Sequence, residues 1–531
     1  MLMRTKLLSR ALLPCLCSLL ASQTDFQQRE VELNKEIVRV RAELSQARAG
    51  GLRAIRVNGT ELTPERFQRE VVHLVGAQSV KAKIGEFFVR EWKDRQIEEG
   101  VRKAGDFVIS DEKIVAELQG QVDEFKKKNP GVEFWEAVRA LTGMDKDAYM
   151  QQRRNTEMFN LVFFPGPANK WPMITREAIM ASAAGGDGKE VWDNIEKSSV
   201  GEDGKPQELP VFWMHLCRGW VQKQLEKWSD IRYPSDGLSS DVVLSVNGME
   251  WSTEAAFDLI RTGIFVQDLE RAMLEVVIRE ALRQDLVKHG AYLSDEEFRK
   301  EFDDYRQEYD STPFTTEVIA TAFKGYPSLE AFRQRWRLMQ AFEHMIAADI
   351  NDDNLAAHGK RYARFFADGQ TGVEMIQFMA RSVGSGAWLP GGDNLAHQKS
   401  EQAWKELQGG ADFDQLLNEK GEFYANDEEK GRLGLKSLNQ LRQSFHESEW
   451  TDLLLGYSLG HHLFYHAEEG KAVGPLRGAE GWYIARVNTR TPATGGVNVK
   501  DERTRELVRQ DYVTFRFMHW ANDVLAKAKI E

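Results

Sequence analysis

The hydrophobic positions of this chain are spaced for helices over most of its length, and the clearest run lies between Val243 and Ile346. It opens on Val243-Leu244-Ser245-Val246-Asn247-Gly248, a short apolar strand closed by an Asn-Gly pair that favours tight turns with positive φ. Val266, Leu269, Met273, Val277 and Ala281 then recur every three or four positions, flanked by Leu274, Ile278 and Leu282. That spacing lays one broad apolar face along a helix. His289-Gly290 stops it, and Ser294-Asp295-Glu296-Glu297 starts the next helix with a capping box.

The same order of signals occurs earlier. Val57-Asn58-Gly59 precedes Thr63-Pro64-Glu65, an N-cap followed by proline at the first helical position. An amphipathic stretch through Ile84, Phe87 and Phe88 leads to Ser110-Asp111-Glu112, and Asp147-Ala148-Tyr149 answers Glu330-Ala331-Phe332. The pattern predicts two copies of one helical unit, at 51–164 and 243–350. Each Val-Asn-Gly strand is too short to stand alone, so strand exchange between the copies is expected as an option. Residues 165–242 read as a linker, with glycine-rich loops at 185–188 and 201–204 and a helix from Val211 to Trp228. Its Trp213, Trp220 and Trp228 are expected in the core.

At the start of the chain, Arg4, Lys6 and Arg10 precede an apolar run from Ala11 to Leu20 and a small-residue exit at Ala21-Ser22. This predicts a cleaved secretory signal over 1–22, too short for a permanent membrane span, with an uncleaved anchor as the alternative. Residues 23–50, with Val31, Leu33, Ile37, Val40 and Leu44, predict a helix or coiled-coil spacer. Cleavage would leave Cys217 alone, without a disulfide partner.

After Ile346 the pattern changes. A strand is predicted over Val373–Met379, helices over Gln398–Leu407 and Ala411–Leu417, and a glycine-punctuated strand over Gly431–Leu435. Leu441 and Phe445 then share a helix, Gly474-Pro475 breaks the pattern, and a strand runs from Gly481 to Val487. The expected fold class is therefore mainly α with one α+β domain, at 370–492, followed by a C-terminal helix within 493–531 that carries Leu507, Val508, Tyr512, Phe515 and Phe517.

Within 373–487, the order Gly-Ala-Asp-Phe at 410–413, Gly-x-Leu-Gly at 431–434, a hydrophobic residue four before Phe445, Gly-Pro at 474–475 and Gly-Trp-Tyr-Ile at 481–484 resembles a parvulin-type peptidyl-prolyl isomerase domain. The Val-Asn-Gly and Ser-Asp-Glu helical units resemble the chaperone part of SurA-type periplasmic foldases and their PpiD and PrsA relatives. The resemblance implies two SurA-N-like helical modules, a parvulin-like α+β domain and a C-terminal helix packing back on the helical part. It implies a location in the periplasm or cell envelope, and unfolded or nascent exported polypeptides as partners. It also implies a catalytic histidine pair, one on the first and one on the last strand. Gln377 and Tyr483 occupy those positions here, and Leu441 stands in the place of a proline-pocket methionine. The polar residue expected before Gly-x-Leu-Gly has no clear equivalent near Phe423.

Prolyl isomerisation breaks no bond; its barrier of about 20 kcal/mol is the resonance of the amide. A catalyst needs an apolar slot for the ring, for which Met379, Leu441 and Phe445 are the candidates. Gln377 and Tyr483 could keep a neutral hydrogen-bond network, but without imidazole tautomers. Weak or absent isomerase activity is expected, in an exported chaperone or foldase that binds unfolded or proline-containing segments. An active prolyl isomerase and a non-catalytic envelope scaffold are the alternatives.

Charge and motifs narrow the classes. With 82 acidic against 70 basic residues the net charge is −12, which argues against nucleic acid or anionic lipid as partner. His461, His462 and His466 are expected on a solvated loop rather than at a metal, and Asn58-Gly59-Thr60 is expected to serve a turn rather than glycosylation. No cofactor is expected, and the sequence leaves the oligomeric state open.

Overall fold

Two Asn-Gly hairpins anchor the helical part, and both use the same turn. Asn58 and Gly59 have φ of 50° and 85°, Asn247 and Gly248 50° and 80°, the left-handed pair that a two-residue hairpin turn requires. The computed structural model describes residues 54–531 apart from 129–132, 143–144, 164–187, 199, 201–210, 262–263, 309–313, 384–385, 387, 390 and 425–426. The signal segment at 1–22, the spacer at 23–50, the loop at 201–204 and most of that at 185–188 lie outside the described residues.

The first hairpin, β1 (Ile55–Val57) and β2 (Thr60–Leu62), leads into α1 (Pro64–Val75) and α2 (Ala77–Glu98), then α3 (Asp111–Lys128), α4 (Phe134–Thr142) and α5 (Lys146–Phe163). Next come α6 (Gly188–Ser198), α7 (Val211–Trp228) and β3 (Ile231–Arg232). The second hairpin, β4 (Val242–Val246) and β5 (Met249–Ser252), leads into α8 (Thr253–Ile260), α9 (Val266–Lys288), α10 (Asp295–Gln307) and α11 (Leu329–Met345). Asn58 and Asn247 are 189 positions apart, and so are Ala77 and Val266. Ser294 caps α10 through the expected box with Glu297.

The chain divides into two compact units. One comprises residues up to Pro64, Phe265–Tyr292 and Leu338–Glu531; the other comprises Glu65–Ile264 and Leu293–Arg337. Each therefore combines one hairpin with the long helix that follows the other hairpin. In the unit holding β1, the Asn58 amide donates to Gln284 Oε1 on α9 (3.0 Å), and Gln284 Nε2 donates to the Val57 carbonyl (3.0 Å). In the unit holding β4, the Asn247 amide donates to Glu91 Oε2 on α2 (2.7 Å).

A neighbouring segment joins each hairpin by the same device, β3 beside β4 and Lys529–Glu531 beside β1, the latter as an isolated bridge between Val57 and Ile530. The Asn247 backbone N–H donates to the Asp230 carbonyl (3.0 Å) while its side chain accepts from the Asp230 N–H (2.7 Å). Asn58 does the same with Lys529, at 2.7 and 2.8 Å. One turn residue thus reads both polar groups of a neighbouring backbone, which meets the hydrogen-bonding need that two short strands leave open.

In the unit with α2, an aromatic layer, buried Phe298, Phe302 and Phe332 with half-buried Trp336, holds α10 against α11. Buried Glu330 accepts from the N–H and hydroxyl of Ser235 (2.8 and 2.7 Å). The Trp expectation divides: Trp220 is buried, whereas Trp228 is exposed and lies beside Trp92. The side chain of Trp213 lies outside the described residues.

The other unit holds α12 (Asp352–Arg361) and a four-stranded antiparallel sheet ordered β7-β6-β9-β8, from β6 (Thr371–Met379), β7 (Arg432–Lys436), β8 (Ala472–Arg477) and β9 (Gly481–Arg490). α13 (Gly392–Gln408) and α14 (Phe413–Lys420) cover one face, and α15 (Leu438–Ser444), α16 (Glu449–Leu455) and α17 (Leu459–Tyr465) cover the other. The last helix, α18 (Glu502–Lys527), packs on α9, α12 and α16. Its Trp520 indole donates to Asp285 of α9 (2.9 Å).

Three expectations need correction. α13 begins at Gly392, six residues before the predicted start, because Gly391 takes a left-handed φ of 64° and turns the loop directly into the helix. β8 was not anticipated: Pro475 supplies no N–H, and the register slips between Val473 and Leu476 to pass it. The segment around His461, His462 and His466 is not a solvated loop. It folds into α16 and α17, because Leu455, Leu459, Leu463 and Phe464 go into the core; only His466 of the three is exposed.

Candidate functional site

β6 and β9 are central neighbours, and their register sets Gln377 opposite Tyr483. Alternation on a strand sends Gln377, Met379 and Tyr483 to the face covered by α15. There the Gln377 amide donates to the Tyr483 hydroxyl at 3.3 Å and to Met379 Sδ at 2.8 Å. The Phe445 ring meets the Tyr483 ring edge-on, with centroids 5.4 Å apart. Leu441 lies one turn before Phe445 in the same cluster. The five candidate residues therefore belong to one neighbourhood.

They do not line an open groove. Leu441, Phe445 and Tyr483 are fully buried, and Gln377 and Met379 nearly so. The space in front of them is filled by the connection between α16 and α17: Leu455, Tyr457 and Leu459 belong to the same apolar cluster. The Tyr457 hydroxyl donates to the Arg477 carbonyl on β8 and so fixes this plug. Burial raises the Tyr483 hydroxyl well above its ordinary pKa, helped by the charges of Glu480 and Glu447 and by Tyr424. It therefore stays protonated, a neutral donor that neither gives up nor accepts a proton at physiological pH.

No protein family matches the chain at the level of sequence, and no curated protein matches it. Solved structures do. The chain is similar to the peptidyl-prolyl isomerase PrsA of Bacillus anthracis, at 13% identity over 48% of this chain and 95% of that one, with a TM-score of 0.22. PrsA of Bacillus cereus matches at 16% identity over 54% and 91%, TM-score 0.20. PrsA of Bacillus subtilis matches at 13% identity over 52% and 88%, TM-score 0.17.

Around the pair runs a polar rim that sequence reasoning missed. Glu480, in the β8–β9 turn, accepts from the Tyr424 hydroxyl (2.8 Å) and lies 3.8 Å from both Arg381 and His446. Burial, and then Glu480, push the Tyr424 hydroxyl up, so it too stays protonated. The Met379 N–H donates to Glu422 (2.8 Å), which also accepts from Lys399. Phe423, at the place of the missing polar residue, packs into the apolar clusters on both faces of the sheet. Nothing in the spacing marks Glu480 or Tyr424, because a rim assembled from a turn, a loop and a strand end has no period along the chain.

Among the described residues no group of three or more His, Cys, Asp or Glu side chains is placed to hold a metal. No described helix is long and apolar enough to cross a membrane.

Proposed function

We propose that this chain is an exported chaperone of the foldase type, built on SurA-like helical modules, which binds unfolded polypeptide, and that its parvulin-like domain is catalytically silent. The observation that carries the second half is the plugged slot: Gln377 and Tyr483 replace the histidine pair, and Leu441 and Phe445 are closed in behind Leu455 and Tyr457. A proline ring has no face to enter by, and the pair beneath it moves no proton. The solved structures similar to this chain carry the names peptidyl-prolyl isomerase and foldase, in agreement with the first half.

Polypeptide binding then falls to the helical arms. Val101, Val108, Val115, Trp228 and Phe314, all in the unit with α2, are large apolar side chains left in solvent. Exposed apolar surface that adapts to many sequences is what a broad, weak binder needs. The net charge of −12 favours solubility in the loaded state.

The test has two arms. Suppression of aggregation of several unrelated unfolded clients at near-stoichiometric ratios supports the chaperone; failure on all but one partner points instead to a scaffold. Isomerisation of a proline tetrapeptide is expected at the uncatalysed rate. Acceleration that vanishes in Tyr483→Ala or Phe445→Ala would establish an active isomerase.

A further inference from the structure

The mouth of the Gln377–Tyr483 slot is held shut by a helix from outside the α+β domain. α9 begins next to the rim, where Asp268 accepts from the Trp388 indole N–H (2.9 Å) and lies 3.8 Å from Arg381. Trp388 is clasped by two guanidinium groups, with Arg271 4.7 Å and Arg381 3.9 Å from its ring centroid. Arg271 also donates to the carbonyl of Ala479 in the β8–β9 turn. That turn is a second cover of the slot, beside the plug that Tyr457 fixes to Arg477: a Cβ on Gly478 would lie 2.4 Å from the Tyr483 ring. We propose that the first two turns of α9 are a clasp over the Gln377–Tyr483 pair, and that releasing Asp268 and Arg271 opens the pair to a carbonyl of an extended peptide.

Three features support a clasp over a fixed wall. The contacts of Asp268 and Arg271 are ionic and hydrogen-bonded groups at a rim, which water can replace, whereas β6 and β9 below are joined by an unbroken ladder from Val373 to Met379. The turn is closed on itself by the Gly478 N–H on the Gly481 carbonyl (2.8 Å) and is held by single hydrogen bonds, from Arg271 on α9, from the Ala380 N–H to the Glu480 carbonyl (2.9 Å) and from Tyr424 to the Glu480 carboxylate (2.8 Å), so it lifts at the cost of these and leaves the ladder from Val373 to Met379 in place. Finally, the Tyr483 hydroxyl accepts from Gln377 but has no acceptor for its own proton among the described residues. A buried donor without an acceptor is costly, and a peptide carbonyl entering the opened mouth satisfies it.

The clasp rests on the reading above, that this chain binds polypeptide. Its test uses the full chain, wild type against D268A/R271A, with W388F as a milder second variant that keeps a smaller aromatic ring between the guanidinium groups but loses the indole N–H. Backbone amides from Gly478 to Glu480 are expected to exchange with solvent about tenfold faster in the double variant, and those of β9 from Trp482 onward and of α14 at the wild-type rate. A fluorescein-labelled Ala-Leu-Pro-Phe peptide, followed by polarisation, is expected to bind at least about fivefold more tightly, because a closed population lowers apparent affinity by the open fraction. W388F is expected between the two, and it decides the matter if the double variant does not fold. Faster exchange without tighter binding overturns the clasp, and so does unchanged exchange. Client aggregation is measured in parallel on wild type: its failure would sink the chaperone reading and leave the clasp to be judged by the peptide titration.

Discussion

Tyr483 shows how one buried residue on a central strand ties a site together: it stands opposite Gln377, accepts from its amide and meets the Phe445 ring edge-on. It keeps the strand position of the expected histidine and keeps a hydrogen bond to the residue at the other one, Gln377. The plug is an obstacle of its own, so placing histidines at both positions should not produce catalysis: Q377H/Y483H is expected to leave tetrapeptide isomerisation at the uncatalysed rate. Removing the hydroxyl alone, in Tyr483→Phe, is expected to cost less than about 1 kcal/mol by urea unfolding, because the bond lost with Gln377 is offset by removal of a buried hydroxyl proton without an acceptor among the described residues. Phe445→Ala is expected to cost more, about 3–5 kcal/mol, because a fully buried ring leaves a cavity that the plug cannot fill. At this scale the sequence was legible for partners on paired strands, since Gln377 and Tyr483 follow from alternation. It was silent on burial. A helix carrying Leu441 and Phe445 reads the same whether it walls a groove or a core, and the residues that decide, Leu455 and Tyr457, sit in an insertion whose apolar spacing is too short to announce a helix.

The elements were most legible where local chemistry specifies them alone. Asn-Gly forces the left-handed turn, Ser294 and Glu297 cap α10 reciprocally, and His289-Gly290 ends α9. They were least legible where a neighbour overrides local preference, as at β8, where the ladder with β9 carries a proline. The grouping of each hairpin with the long helix that follows the other has no local signature, because both helices follow their own hairpin in sequence. Only the turn asparagines betray it, by reaching Glu91 and Gln284. Asn247 therefore serves three ends: the turn, the third strand and the helix. Two variants separate them. Asn247→Gly keeps the left-handed turn and loses only the side-chain bonds, an expected cost of about 1–2 kcal/mol. Asn247→Ala loses the bonds and also strains the turn, so it is expected to cost about 1 kcal/mol more than the glycine variant, read as a lower midpoint in the same denaturation series.

At the scale of the whole molecule, mild acid should act on the two units with opposite sign. In the unit with the α+β domain, burial lowers His461 to about 3 and His462 to about 4, and His519 is lowered too, burial again being the main cause. These rings are neutral in the fold and take up protons in the unfolded chain below about pH 6.5, so this unit loses stability as pH falls through 6.5 towards 4. In the other unit the carboxylate of Glu226 is pushed up to about 7 by burial and by nearby Glu317, itself raised by burial. A raised carboxyl holds a proton in the fold that the unfolded chain has already released above about pH 4.5. Its unit therefore gains stability as pH falls from 7 towards 4.5. Between pH 7.5 and 5.5, amides of α17 are expected to exchange faster after correction for the intrinsic rate, and those of α7 and α10 more slowly. H461Q/H462Q should flatten the first response without touching the second; Glu226→Gln should reduce the second without touching the first, the remainder being due to Glu330, which burial also raises to about 7. A common shift of both units in one direction would show that neither buried group governs its own unit.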